Sequence, residues 1–147
     1  MSARDPGRRY REVQVTTAAK DDLLLLLLDG AVRFTEGALL ELDEKEEDPA
    51  RRNDGLLRAQ KIVLELMSAL SPAIGLDLYA NLQELYRFTF SRLFEGNVHA
   101  DRKLVGEGLE MLKRIRELWR DAVEKARKER SAPPQNPLPN STISVKG

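Results

Sequence analysis

The stretch DDLLLLLLDGAVRFTEGALLELD, Asp21 to Asp43, decides the fold class. At about 100° per residue, Leu24, Leu27, Leu28, Ala31, Phe34, Ala38 and Leu42 fall on one arc, the spacing of an amphipathic helix. The β-branched run that a strand favours is missing. Asp21 and Asp22 stand in the first turn, where carboxylates meet the positive end of the helix dipole, with Thr17 the nearest N-cap. The six leucines Leu23 to Leu28 form the longest apolar run of the chain. A bilayer span needs about 20 apolar residues, so no membrane insertion is expected.

Working outward, residues 1–17 are punctuated by Pro6 and Gly7, carry Arg4, Arg8, Arg9 and Arg11, and then alternate in Val13, Gln14, Val15 and Thr16. They read as an N-terminal arm and not a helix, with the helical domain spanning 18–130. An acidic loop from Glu41 to Asp48 ends the first helix. Asp48 and Pro49 then read as N-cap and first position of a second helix to Leu70, with Leu56, Ala59, Val63, Leu66, Met67 and Leu70 inward. Ser71, Pro72 and Gly75 stop it. A third helix, Asp77 to Glu95, turns Leu78, Leu82, Leu85, Tyr86, Phe90 and Leu93 to one side, and Gly96 and Asn97 end it. Asp101 caps a fourth, to about Arg130, with Leu104, Val105, Leu109, Leu112, Ile115, Trp119, Val123 and Ala126 inward. Residues 131–147 hold Pro133, Pro134, Pro137 and Pro139 among Ser and Asn, and are expected to be a disordered tail. Four amphipathic helices on short links predict an all-α, antiparallel up-and-down four-helix bundle.

Composition narrows the chemistry. In 147 residues, 24 Lys and Arg balance 24 Asp and Glu, and there is one His and no Cys. Formal neutrality argues against a nucleic-acid binder, which needs surplus basic charge on one face. A ferritin-like metal centre needs two histidines, so His99 alone cannot build one. The same residue falls in a link between helices, away from any triad geometry. Gly30 and Gly37 lie inside a helix and form no phosphate-cradling loop. Glu44, Glu46, Glu47 and Asp48 lack the ligand alternation and central Gly of an EF-hand. No catalytic residue, metal site or cofactor is expected.

What remains is apolar surface. On the far side of the first helix, Leu26 and Leu40 align with Gly30, Arg33 and Gly37. Gly in a helix interior costs about 1 kcal/mol against Ala, which suits a position where another backbone comes close. Leu57 and Leu64 lie roughly opposite the core stripe of the second helix, and Phe88 projects among polar residues of the third. These residues read in three ways: as scattered or self-packed leucines, as an interface between identical subunits, or as a groove for a foreign amphipathic helix. Tyr10, Val13 and Val15 read as a strap over the bundle that a partner displaces.

The sequence resembles the flagellin-specific secretion chaperones, the FliS family of bacterial flagellar export, over about Tyr10 to Arg130. The likeness rests on Tyr10 with Val13-x-Val15-x-Thr17-Ala18, Asp22-Leu23, Leu27-x-Asp29-Gly30-Ala31-Val32-Arg33-Phe34, Leu57-Arg58-Ala59-Gln60-Lys61-Ile62-Val63-x-Glu65-Leu66, Leu85-Tyr86-x-Phe88, Arg92-Leu93-x-Glu95-x-Asn97 and Trp119. Leu28 stands where family members commonly carry Tyr. The resemblance implies a four-helix bundle capped by a short N-terminal segment, acting in the cytoplasm without catalysis. It implies as client the C-terminal segment of flagellin, kept from polymerising and delivered to the flagellar export gate, with an anti-sigma factor as a further partner in some relatives. The expected partner-binding residues are Tyr10, Val13, Val15, Leu26, Gly30, Gly37, Leu40, Leu57, Leu64 and Phe88. A self-assembling helical scaffold is the alternative, and a weak homodimer is compatible with either.

Overall fold

The computed structural model describes the backbone of residues 6–44 and 47–131, with side chains from Ala18 onward. Four α-helices follow one another: α1 (Pro6–Asp43), α2 (Pro49–Ala69), α3 (Leu76–Val98) and α4 (Arg102–Ser131), with one 3-10 turn, Pro72–Ile74, between α2 and α3. α1 packs against α2 and α4, α3 packs against the same two, and among the described residues the diagonal pairs make no close backbone approach. Paired ends fix the directions. Asn97 near the end of α3 donates to Asn53 at the start of α2, while Arg102 at the start of α4 pairs with Asp43 at the end of α1. The bundle is therefore antiparallel and up-and-down, as the periodicity predicts.

The interior is one continuous core. Leu28, Leu56, Val63, Leu82, Tyr86, Leu93, Val105, Leu112 and Ile115 are fully buried, drawn from all four helices. Burying each such side chain contributes about 1.5–3 kcal/mol. The buried hydroxyls of Thr35 and Thr89 donate back to the carbonyls of Ala31 and Leu85, so neither leaves an orphaned group in the core.

Local chemistry sets the helix ends. The Asp48 carboxylate accepts from the amides of Ala50 and Arg51, with Pro49 in the first turn of α2, and Asp101 accepts from Lys103 and Leu104 at the start of α4. Both are N-caps that satisfy otherwise orphaned amides. Between α3 and α4, Ala100 takes a left-handed conformation (φ 49°) and the Asp101 amide bonds back to Gly96, a left-handed cap of the kind glycine usually supplies.

The structure corrects three readings. Residues 6–17 are not a non-helical arm, because α1 begins at Pro6 and runs unbroken through them. Proline suits a first helical position, the Arg, Glu and Gln that follow form helix well, and extending an existing helix needs no new nucleus. Thr17 is thus interior and caps nothing, and the side chains of Tyr10, Val13 and Val15 lie outside the described set. Gly96 does not end α3, which continues to Val98. Leu78, expected inward, is exposed, since α3 begins at the open end of the bundle. The tail from 132 to 147 lies outside the described residues.

Gly96 instead sets how closely α3 and α4 approach. A Cβ there would stand 2.5 Å from the Val105 side chain and 2.9 Å from its backbone nitrogen, and one on Gly108 would stand 2.7 Å from Leu93. Nothing lies within 4 Å of a Cβ on Gly37. Gly96→Ala should therefore force the helices apart and lower stability by about 1–3 kcal/mol. Gly37→Ala should raise it by about 0.5–1 kcal/mol. Urea midpoints at constant m-value would register the opposite signs.

Candidate functional site

The α1–α4 seam is laced by charge. Asp21, Asp22, Asp29, Glu36 and Asp43 of α1 face Arg130, Arg127, Arg116 with Arg120, Lys113 and Arg102 of α4, with separations such as 3.2 Å for Asp21–Arg130 and 3.5 Å for Asp29–Arg116. The hydrogen bond from Arg102 holds the Asp43 carboxyl below its ordinary value. Solvent-exposed pairs contribute little each, so their main effect is to fix register and to cover this seam with polar groups.

Elsewhere apolar groups reach the surface. Leu26 is 64% and Leu40 66% exposed, on the solvent arc of α1 between its two seams. Gly37 lies open beside them. Gly30 does not belong to this stripe: it is buried, and a Cβ on it would meet the Ile62 side chain of α2 at 3.6 Å. The glycine spacing thus reflects one helix contact and one exposed site, not a single groove.

Leu57 and Leu64 are exposed on α2, but by projection they lie about 150° from Ile62 and close to Asn53, which bonds α3. They lean toward the α2–α3 groove, while Leu57 also lines a shallow hollow with Phe34 of α1 and Arg58 and Ile62 of α2. Across from them on α3 stand Phe90 and Phe94, stacked with centroids 6.3 Å apart, on the flank where Gln83 donates to the Met67 carbonyl of α2. Phe94 and Val98, both exposed, were missed in the sequence reading; the i, i+4, i+8 spacing of Phe90, Phe94 and Val98 was the signal available. Phe88 turns toward α4, with the Arg92 guanidinium 4.6 Å from its ring and Arg92 in turn paired with Glu107. The candidate residues therefore occupy three faces of the bundle.

A fourth apolar feature is concave. At the end of the bundle where α2 gives way to α3, a cleft of about 600 Å³ opens among Leu23, Leu24, Leu27, Leu66, Leu70, Ile74, Tyr86 and Trp119, with Lys20, Asp21 and Glu65 at its rim. Its volume is in the range of binding clefts. Tyr86 is almost fully buried, and its hydroxyl accepts a 2.8 Å hydrogen bond from the Trp119 indole. That bond sets the indole against the cleft.

The comparisons agree with this architecture. The family model described as "Flagellar protein FliS" matches residues 3–126. The chain belongs to the FliS family. Among curated relatives, the flagellar secretion chaperone FliS of Bacillus subtilis (strain 168) is 28% identical over 130 residues, covering 88% of this chain and 95% of the relative. That of Salmonella typhimurium is 29% identical over 116 residues, covering 78% and 84%. The Vibrio cholerae protein is 24% identical over 107 residues. Leu28 is fully buried and fills the core without a hydroxyl.

Burial pushes the Tyr86 phenol above its ordinary value, opposed by the Trp119 hydrogen bond. A raised folded-state value means stability that is fully present below about pH 10 and is lost as pH rises through the folded value. Tyr86→Phe should cost about 1 kcal/mol at neutral pH by leaving the indole N–H unpaired. It should also flatten the alkaline loss of stability, as urea melts of both proteins at neutral and alkaline pH would show.

Proposed function

We propose that this protein is a non-enzymatic cytoplasmic chaperone for flagellin, binding its C-terminal segment before export. The family match over residues 3–126 carries this reading. The apolar surplus supports it in physical terms. Leu26 and Leu40 on α1, Leu57, Leu64 and Phe94 about the α2–α3 groove, and Phe88 toward α4 stand on three separate faces, which suits a long flexible client that lays short helical pieces over several patches in turn. Ordering such a client uses part of the gross interaction energy, so binding can be firm and still reversible.

In this reading the bundle is preformed and the client folds upon it, which needs no nucleotide or cofactor. Covering the client's apolar side chains removes the surface through which flagellin subunits associate. In this reading polar faces such as the α1–α4 seam stay free in the complex, and the chaperone hands the client to the export gate.

A calorimetric titration with a flagellin C-terminal peptide tests this. Replacing both Leu26 and Leu40 with Glu should weaken binding about tenfold or more while leaving helical content unchanged, since each Leu buried is worth about 1.5–3 kcal/mol. Leu57→Glu with Leu64→Glu should do the same, and the two pairs should combine additively because they lie on different faces. Unchanged affinity in both double variants would place the client elsewhere, and no binding by the unaltered protein would remove flagellin as the client.

A further inference from the structure

The outer face where α1 meets α2 combines apolar groups with positive charge that the protein leaves unneutralised. A hollow of about 440 Å³ opens there among Phe34 of α1 and Asp54, Leu57, Arg58, Lys61 and Ile62 of α2. Phe34 and Ile62 are half-buried, and Leu57 is exposed beside them. Three cations border the hollow. The Arg58 guanidinium lies 5.6 Å from the centre of the Phe34 ring and bonds the Asp54 carboxylate at 3.0 Å. Lys61 is exposed and pairs with no carboxylate among the described residues. Arg33 comes from the α1 side: a Cβ on Gly30 would stand 3.8 Å from its Nη2 and 3.6 Å from Ile62, so the guanidinium lies close to a lining residue. It too is exposed and has no ion-pair partner among the described residues.

The acids of this face do not offset that surplus. Asp54 is already held by Arg58, and Glu41 pairs with Arg51 at 3.4 Å. Glu65 stands on the rim of the cleft at the open end. The whole chain balances 24 basic against 24 acidic side chains, and at the α1–α4 seam each acid of α1 meets a base of α4. Unmatched cations beside an apolar hollow are therefore particular to the α1–α2 face.

We propose that this face docks an amphipathic helix of a partner protein that carries carboxylates on both flanks of its apolar stripe. One bulky apolar side chain enters the hollow against Phe34 and Ile62, and the flanking acids meet Arg33 and Lys61. Exposed Leu26 and Leu40 continue the apolar track along α1 over roughly 21 Å, about four turns of a docked helix. Gly37 between them has nothing within 4 Å of the place of a Cβ, which leaves room for the partner to lie close. A guanidinium takes a carboxylate through two parallel hydrogen bonds and an ammonium takes one as a point charge, so the pair fixes register as well as sign. The same cations repel a basic helix of equal hydrophobicity. The chaperone reading asks only for apolar client segments; the requirement for acidic flanks goes beyond it.

The tests use the full chain and contain no flagellin, so their outcome is separate from that of the chaperone reading. The probe is a capped synthetic peptide of about 15 residues, with Leu and Phe along one helical face and Glu at the flanking positions. Two companions carry Gln or Lys at the flanking positions. In calorimetric titrations the Glu peptide should bind at least about tenfold more tightly than the Gln peptide, and the Lys peptide should bind more weakly still. The affinity for the Glu peptide should fall as salt rises from about 50 to about 500 mM. Equal affinities for the three peptides, an affinity indifferent to salt, or no binding of the Glu peptide would overturn the proposal.

Charge reversal locates the contact. Arg33→Glu with Lys61→Glu should reverse the order of the peptides, so that the Lys peptide binds most tightly, at unchanged helical content because both side chains are exposed. Arg114→Glu with Lys125→Glu, at exposed positions of α4, changes the net charge equally and should keep the original order. The same loss in both double variants would assign the preference to net charge and overturn the proposal, as would an unchanged order in the first.

Discussion

More apolar surface is written into these four helices than one shared interior can absorb, and the rest of the molecule follows from that excess. The core takes Leu28, Leu56, Leu82, Tyr86, Leu93, Leu112 and Ile115 to full burial. Leu26, Leu40, Leu57, Leu64 and Phe94 are left on the outside. Single exposed leucines are ordinary on a protein surface. Here they recur at helical spacing on several faces, beside an open cleft, in a chain whose remaining seam is closed by ion pairs.

The two ends of the bundle differ in kind. At one end Gly96 lets Val105 sit against the α3 backbone, Asn97 ties α3 to α2, and Arg102 ties α4 to α1. The first of these contacts is an apolar close approach and the other two are polar ties between helix ends. At the other end the link through Ser71, Pro72 and Gly75 turns without plugging the interior, and Tyr86 and Trp119 line the opening. The closed end gives the fold its register, and the open end keeps apolar surface within reach of water.

The helices were legible because their cues are local. Asp48–Pro49 and Asp101 cap as their side chains dictate, and the inward stripes of α2 and α4 follow from spacing alone. What spacing could not show was tertiary. Pro6 and Gly7 looked like breakers, yet one lies in the first turn and the other is carried by an already nucleated helix. Gly30 looked like part of an outer stripe, but the way α2 leans on α1 buries it against Ile62. Leu57 and Leu64 were rightly expected outside and Phe90 inward, while the stacking of Phe94 on Phe90 across the groove from those leucines depends on how α2 and α3 are set against each other, which spacing within α3 does not reveal. The cleft assembles residues from every helix and so had no signal in any one of them.

The segregation of acids on α1 and bases on α4 bears on how the chain is made. A ribosome releases α1 first and α4 last, so the acidic edge emerges with its counter-charges still unsynthesised. Closure of the ring then waits on contacts between residues about a hundred positions apart, such as Asp22 with Arg127. Until then the first three helices can pair only in series, α1 with α2 and α2 with α3, with their inner leucines showing, and a nascent chain halted before Arg102 is the form most in need of protection from aggregation.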